Sequence, residues 1–232
     1  MSGRAALPRL LCVPGLGLDD KAWRPTLRAL GAGDRQEEDS RVALLPGYGL
    51  RPKATDDLRP AKLAAQLVAG WLTDGSRPIV LMGHSASCQI VTHAASLVPG
   101  RVSMLVLVGC TTDPRAASWG RIAERWLRTA VWERPSQLPV LGRTYARTGP
   151  LRMLHAMDAA RREDVRERLR AVDCPVLVAR GRHDRICPDD WAQGLVAAAP
   201  TGSRAVTLEK GAHMVPLTHG KMLAAALRVA VE

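Results

Sequence analysis

Three positions in this 232-residue chain carry side chains that together could perform acyl transfer. They are Ser85 in "VLMGHSASCQIV", Asp184 in "CPVLVARGRHDRICP" and His213 in "AVTLEKGAHMVP". A serine hydroxyl is a poor nucleophile at neutral pH and needs a base within about 2.6–3.2 Å. An imidazole can be that base, and a carboxylate on its far nitrogen holds the tautomer and stabilises the imidazolium as it forms. Each of the three residues follows an apolar run of strand character, and catalytic groups gather at just that place, the carboxyl edge of an open parallel sheet. Three positions agreeing in order and placement constrain the chemistry far more than one short motif.

The stretch around Ser85 reads as a strand, a sharp turn and a helix, a geometry that pushes the serine out of the sheet beside unpaired N–H groups. Small residues are needed on either side. Gly83 meets that need, but Ser87 stands where a second glycine is expected. The turn should therefore accommodate the Ser87 side chain without displacing Ser85, with the following helix set slightly further away. His84 reads as a pocket or packing residue rather than the base, and His183 and His219 as structural or exposed. Asp189 and Asp190 follow Pro188 and read as a helix start. Asp113, followed by Pro114, reads as a helix cap and stays open as an alternative acid. Of five scattered cysteines, Cys88 is the one a helix N-terminus would activate; none has metal-site or disulfide-framework spacing.

The elements that must position these residues alternate between strands and helices, the pattern of βαβ units. Strands are expected at Leu10 to Val13, Val42 to Leu45, Ile79 to Met82, Met104 to Val108, Val176 to Ala179 and Ala205 to Leu208. They are continuously apolar, which suits a sheet covered on both faces. Helices are expected at Lys21 to Leu30, Leu58 to Leu72, Ala86 to Leu97, Trp191 to Ala199 and Lys221 to Val231. Leu63, Leu67, Val68, Trp71 and Leu72 make one stripe of the second helix.

One segment breaks the alternation, because after Val108 no strand pattern returns until Val176, too long for a loop and one helix. Trp119, Ile122, Ala123, Trp126, Leu127, Ala130 and Val131 follow the spacing of an amphipathic helix. Val165, Leu169 and Val172 mark another, with Asp164 and Arg168 placed for an i, i+4 ion pair. Gly142, Gly149 and Pro150 punctuate the stretch between. The fold class is α/β: a mostly parallel, doubly wound sheet of about six strands, with residues 1–110 and 173–232 as the core and 111–172 as a helical lid insertion.

With these pieces in view the chain resembles the α/β-hydrolase fold family from Leu10 to its C-terminus, through "VPGLG", "GHSAS", "GRHDRICP" and "GAHMVP". The resemblance implies Ser85 as nucleophile, His213 as general base and then acid, and Asp184 as the orienting carboxylate. It further implies an oxyanion hole made by the N–H groups of Leu16 and Ala86. Gly15, His84, Trp119, Trp126 and Met214 are expected to contact substrate, with the alternative that Trp119 and Trp126 anchor the insertion on the sheet domain left open. Two departures stand out: Pro14 where many members have His, and Ser87 for Gly.

Composition narrows the possibilities. Hydrophobic residues make up 47% and charged residues 24%, which suggests neither disorder nor a membrane protein. With no Phe, the aromatic contacts must come from six Trp and two Tyr. The N-terminal apolar run is broken by Pro8, Arg9 and Pro14, so no signal peptide is read and a cytoplasmic location is expected. The net charge is +11, and residues 111–172 hold thirteen Arg against seven Asp and Glu. No nucleic-acid motif accompanies this charge, which reads as a solvated arginine face with Arg121, Arg125 and Arg128 exposed. The expected reaction is hydrolysis of a small to medium carboxylic ester or lactone through an acyl-serine, with no cofactor or metal. Two readings stay open beside it: thioesterase or acyltransferase action on an acyl carrier or coenzyme A, and non-catalytic ligand binding.

Overall fold

The computed structural model of the chain describes residues 9–31, 40–73 and 77–231. The first eight residues, on which the reading of the N-terminus partly rests, lie outside them. In chain order the elements are β1 (Arg9–Val13), α1 (Arg24–Leu30), β2 (Ser40–Val42), β3 (Leu45–Pro46), β4 (Gly49–Leu50), α2 (Pro60–Leu67), β5 (Ile79–His84) and α3 (Ser87–Leu97). There follow β6 (Val102–Val108), α4 (Trp119–Ala130), α5 (Leu138–Thr148), α6 (Pro150–Arg161) and α7 (Val165–Leu169). The chain closes with β7 (Val176–Gly181), α8 (Asp189–Ala198), β8 (Arg204–Leu208), α9 (Val215–Thr218) and α10 (Gly220–Val231).

Six strands form one sheet in the order β2-β1-β5-β6-β7-β8, and every neighbouring pair is parallel. Because successive side chains on a strand point to opposite faces, a continuously apolar strand feeds two cores at once. Leu11, Val13, Leu81, Leu105, Leu107, Val176 and Val178 enter one, packed under α2, α3, α7 and α8. Leu10, Cys12, Val80, Met82, Val106, Val108, Leu177 and Ala179 enter the other, covered by Trp23, Leu30, Leu223 and Leu227 from the side of α1 and α10. Val13 pairs with Gly83, and His84 with Val108, so the strands end along one shared edge.

Element boundaries move for local reasons. The strand expected at Val42 to Leu45 is β2, ending at Val42; Gly47, at φ 82°, and the Tyr48 N–H to Leu45 C=O bond turn the chain into the small β3–β4 ribbon. The helix expected from Lys21 opens as a 3₁₀ turn capped by Asp19, and α1 follows with Pro25 in its first turn. The second helix runs α-helical to Leu67 and ends in a π turn over Val68–Leu72, which keeps Leu72 buried.

Between β6 and β7 lie four helices. Ser118 caps α4 by accepting the Arg121 N–H, and Gly149, at φ 82°, with Pro150 separates α5 from α6. Gly142 lies inside α5 rather than at a break. Ala156, Ala160, Val165 and Leu169 are buried in the same core as the sheet, whereas α4 and α5 stand over the carboxyl edge of the strands. Asp164 does not reach Arg168: it caps α7 and pairs with Arg166 at 2.5 Å, since its extended backbone aims the carboxylate at the first turn. Among the described residues no helix is long and apolar enough to cross a membrane.

Candidate active site

Ser85 is the first residue beyond β5 and takes φ 58°, alone among the described non-glycine residues in the left-handed region. A serine held there costs of order 1–3 kcal/mol, which the surroundings must impose. They do so through the Ser85 N–H, which donates to the Val108 carbonyl at 2.9 Å, and through α3, whose Cys88 N–H donates to the Ser85 carbonyl at 3.1 Å. The Ser87 side chain is accommodated without displacing Ser85. Its Oγ accepts the His84 N–H at 2.8 Å and lies 3.0 Å from the Val13 carbonyl and 2.9 Å from the His84 carbonyl. The helix is not set back either: a Cβ on Gly83 would come within 2.6 Å of Val91 and 3.0 Å of the Cys88 Cα.

Ser85 Oγ lies 2.8 Å from His213 Nε2, and His213 Nδ1 lies 2.9 Å from Asp184 Oδ2. Asp184 Oδ1 accepts the N–H groups of Ile186 and Cys187 at 2.9 and 3.0 Å, leaving Oδ2 for the imidazole. Asp184 is fully buried, and burial alone would raise its pKa. The adjoining imidazole, the backbone donors and Arg180 outweigh that and hold its pKa below the ordinary carboxylate value. For His213 burial works against the charged form, yet Asp184 and Glu133 prevail and hold its pKa above the usual 6.5. The pair is thus arranged to accept a proton at Nε2.

His84 Nε2 lies 3.0 Å from the carbonyl oxygen of His213, which can only accept, so Nε2 carries the proton and Nδ1 is left without a partner. Burial, followed by the neighbouring His213, pulls its pKa down to about 3. It is a neutral brace against the His213 loop, as expected of a packing residue. The N–H groups of Leu16 and Ala86 donate to no group among the described residues, and both residues border the same cleft as Ser85. Asp113 caps the 3₁₀ turn Pro114–Ala116 and is held by Arg115 and Arg125, not by a histidine. Asp189 and Asp190 open α8.

A cleft of about 250 Å³ opens above Ser85. Gly15, His84 and Met214 border it near the triad, and Ile122, Trp126, Leu138 and Met157 wall it from the insertion. Trp119 is not in that wall. It sits two turns from Trp126 at the other end of α4, with the Arg161 guanidinium 5.0 Å from its ring. Nor does the whole apolar stripe turn inward: Leu127 and, just past α4, Val131 are 70% and 77% exposed, while Arg125 and Thr129 face the protein beside Ile122. Arg125 is therefore not on the solvated face with Arg121 and Arg128; it is bonded to buried Asp113 at 2.8 Å. All five cysteines are buried and free, and the Cys88 thiol points at the Val108 carbonyl. Among the described residues no three His, Cys, Asp or Glu side chains converge as a metal site.

The sequence model of the alpha/beta hydrolase family matches residues 10–226. The chain belongs to this family. Among proteins similar to this hydrolase is a pimeloyl-[acyl-carrier protein] methyl ester esterase of Neisseria meningitidis serogroup B (strain H44/76), 28% identical over 213 residues and covering 81% of this chain and 80% of the relative. A protein of the same name from Methylococcus capsulatus (strain Bath) is 27% identical over 251 residues, covering 96% and 93%. A hydrolase from Oleispira antarctica superposes with a TM-score of 0.78 at 16% identity, over 98% of this chain and 92% of that one, which shows the common fold.

Three residues of this alpha/beta hydrolase that meet the triad are not singled out by sequence reasoning. Arg180, at the end of β7, donates to the carbonyls of Cys187 at 2.6 Å and Asp184 at 2.8 Å and so bolts the acid loop. A lone arginine in an otherwise apolar strand was its signal. Gly109, just past β6, takes φ 56° beneath the His213–Asp184 pair, a position marked in the sequence only by a glycine after a strand. Glu133, just after α4, bonds the His213 loop and carries no sequence signal.

Proposed function

We propose that this chain hydrolyses carboxylic esters or lactones of small to medium size through an acyl-serine on Ser85. The unbroken contact from Ser85 Oγ through His213 to Asp184, opening on an apolar cleft, carries the reading. Ser85 Oγ attacks the carbonyl carbon while His213 Nε2 takes its proton. The oxyanion meets the free N–H groups of Leu16 and Ala86, each donor of this kind being worth about 10²–10³ in rate. Collapse expels the alcohol, which receives the proton from His213. Water then attacks the acyl-serine by the same path in reverse, releasing the acid and restoring Ser85. Asp184 stays ionised throughout, orienting the imidazole. In this reading residues 111–172 are the lid insertion, with α4 and α5 over the cleft and Trp126 and Met214 against substrate, and five unpaired thiols suit a reducing cytoplasm.

Incubation with a serine-directed phosphonate, read by intact mass, tests the mechanism. Wild type should gain one adduct and Ser85→Ala none. An unlabelled wild type, or equal labelling of the variant, would end this reading.

A second reading, an acyl group delivered on a carrier, is favoured by one observation. Trp126, Leu127, Val131 and Leu138 form an exposed apolar rim on the lid, flanked by Arg121 and Arg128. The two esterases named above bear an acyl-carrier substrate in their names. Turnover of matched oxygen esters and thioesters across a salt series separates the readings, since charge-steered docking weakens with ionic strength. A salt-insensitive enzyme indifferent to thioesters ends the carrier reading.

A further inference from the structure

His213 lies in the loop between β8 and α9, and its position depends on what holds that loop. The Glu133 carboxylate reaches it from the lid. Its Oε1 accepts the N–H of His213 at 2.8 Å and that of Met214 at 2.9 Å, while Oε2 accepts from buried Gln137 at 2.8 Å. Nearby lid residues grip the other catalytic loop. Thr129 Oγ1 accepts the Arg185 N–H at 3.0 Å, and the Trp132 ring stacks on His183 with centroids 3.8 Å apart and planes 6° from parallel. The loops that carry base and acid are thus both fastened to three residues, Thr129, Trp132 and Glu133, at and just past the end of one lid helix.

We propose that Glu133 is a positioning residue: a lid carboxylate that holds the His213 loop in register with Asp184 and Ser85. The lid therefore assembles the triad as well as covering it. This rests on the reading of Ser85 and His213 as nucleophile and base. Misplacing a reacting group by an ångström can cost about a hundredfold in rate, so two charge-assisted bonds to the base's own backbone bear directly on turnover. The carboxylate acts a second way, since its negative charge favours the imidazolium. The groups facing His213 are Asp184 from the loop after β7, neutral His84 from β5, and Glu133 with the adjacent Arg134 from the lid. Removing only the charge at Glu133 leaves the others in place.

Glu133→Gln keeps an acceptor for the two N–H groups and loses the charge; Glu133→Ala loses both. Phosphonate labelling rates would be measured against pH for wild type and both variants, and the His213 imidazole titrated by NMR in each. Labelling is expected to slow about two- to tenfold in Glu133→Gln and about ten- to a hundredfold in Glu133→Ala. The imidazole midpoint should move to lower pH in both. Rates within twofold of wild type with an unmoved midpoint would overturn the proposal. Should Glu133→Ala not fold, the near-isosteric Gln variant decides by the same criteria. Failure of the hydrolase reading is distinguishable, because it shows as absent or non-specific labelling of wild type against Ser85→Ala. The titration would still decide the role of Glu133, a lowered midpoint supporting it and an unchanged one overturning it.

Discussion

Ser87 Oγ lies 3.0 Å from the carbonyl oxygen of Val13, a contact that ties the turn at Ser85 to the loop carrying Leu16. That carbonyl also accepts the Trp23 indole N–H at 3.1 Å, so one backbone oxygen joins the ends of β1 and β5 to the start of α1. A glycine at this position makes room for the turn; here a serine fills the room and bonds across it. Ser87→Ala would leave the buried His84 N–H without its acceptor, at a cost of about 1–3 kcal/mol. Urea unfolding should show that loss, with kcat/KM falling less than tenfold. An unchanged midpoint would mean that the Ser87 bonds contribute nothing net.

The pH dependence follows from the His213–Asp184 pair. The proposed mechanism needs neutral His213, whose pKa is held above 6.5, so kcat/KM should rise with pH through a midpoint above 6.5. His84 contributes no limb in this range, being pulled down to about 3. Asp184→Asn removes the charge that raises His213, so the limb should move to lower pH while kcat falls by roughly 10⁴. A limb that stays in place in the Asn variant would show that another group titrates.

The core of this fold was legible because burial on both faces writes continuous apolar runs into β1, β5, β6 and β7; Ser85 and Asp184 lie just past such runs, and His213 lies past β8, an edge strand only partly buried. Ser85, Asp184 and His213 are therefore brought together as their spacing predicts. The insertion between β6 and β7 was legible as helices but not as packing. The stripe of α4 has core periodicity, yet Ile122 and Trp126 face the cleft while Leu127 and Val131 face solvent. Periodicity says that a face is apolar, not what covers it. Trp119 was misplaced for that reason, and Arg125 because its partner Asp113 lies in a different loop. Glu133 was out of reach altogether, since its bonds go to backbone N–H groups that no pattern of side chains reports.

Gly109 offers a test that leaves the triad residues themselves untouched. A Cβ there would sit 3.0 Å from His213 Nδ1 and 3.1 Å from Asp184 Oδ2, at a φ of 56° that side chains disfavour. Gly109→Ala should therefore pry at the imidazole–carboxylate bond while leaving Ser85 in place. We expect a folded protein, by circular dichroism, whose kcat is reduced about a hundredfold. Wild-type kcat would mean that the pair shifts together without loss of alignment.

Arg125 is expected to make the cleft selective. Burial works against the charge of Asp113, but Arg115 and Arg125 outweigh it and keep the carboxyl ionised, which in turn pins the Arg125 guanidinium in the wall. One of its nitrogens, Nη1, is buried with no partner among the described residues. An unused cationic donor of this kind is costly unless a substrate acceptor meets it, and a charged hydrogen bond contributes about 1.5–3 kcal/mol. Esters whose chain carries a second carbonyl or carboxylate should then be preferred over alkyl esters of equal length by at least about tenfold in kcat/KM. Arg125→Met should erase that preference and leave alkyl esters little affected, since Asp113 keeps Arg115. Competition between the matched esters in wild type and variant measures the ratio directly. A ratio equal in the two proteins would remove Arg125 from substrate recognition and leave it as the partner of Asp113 alone.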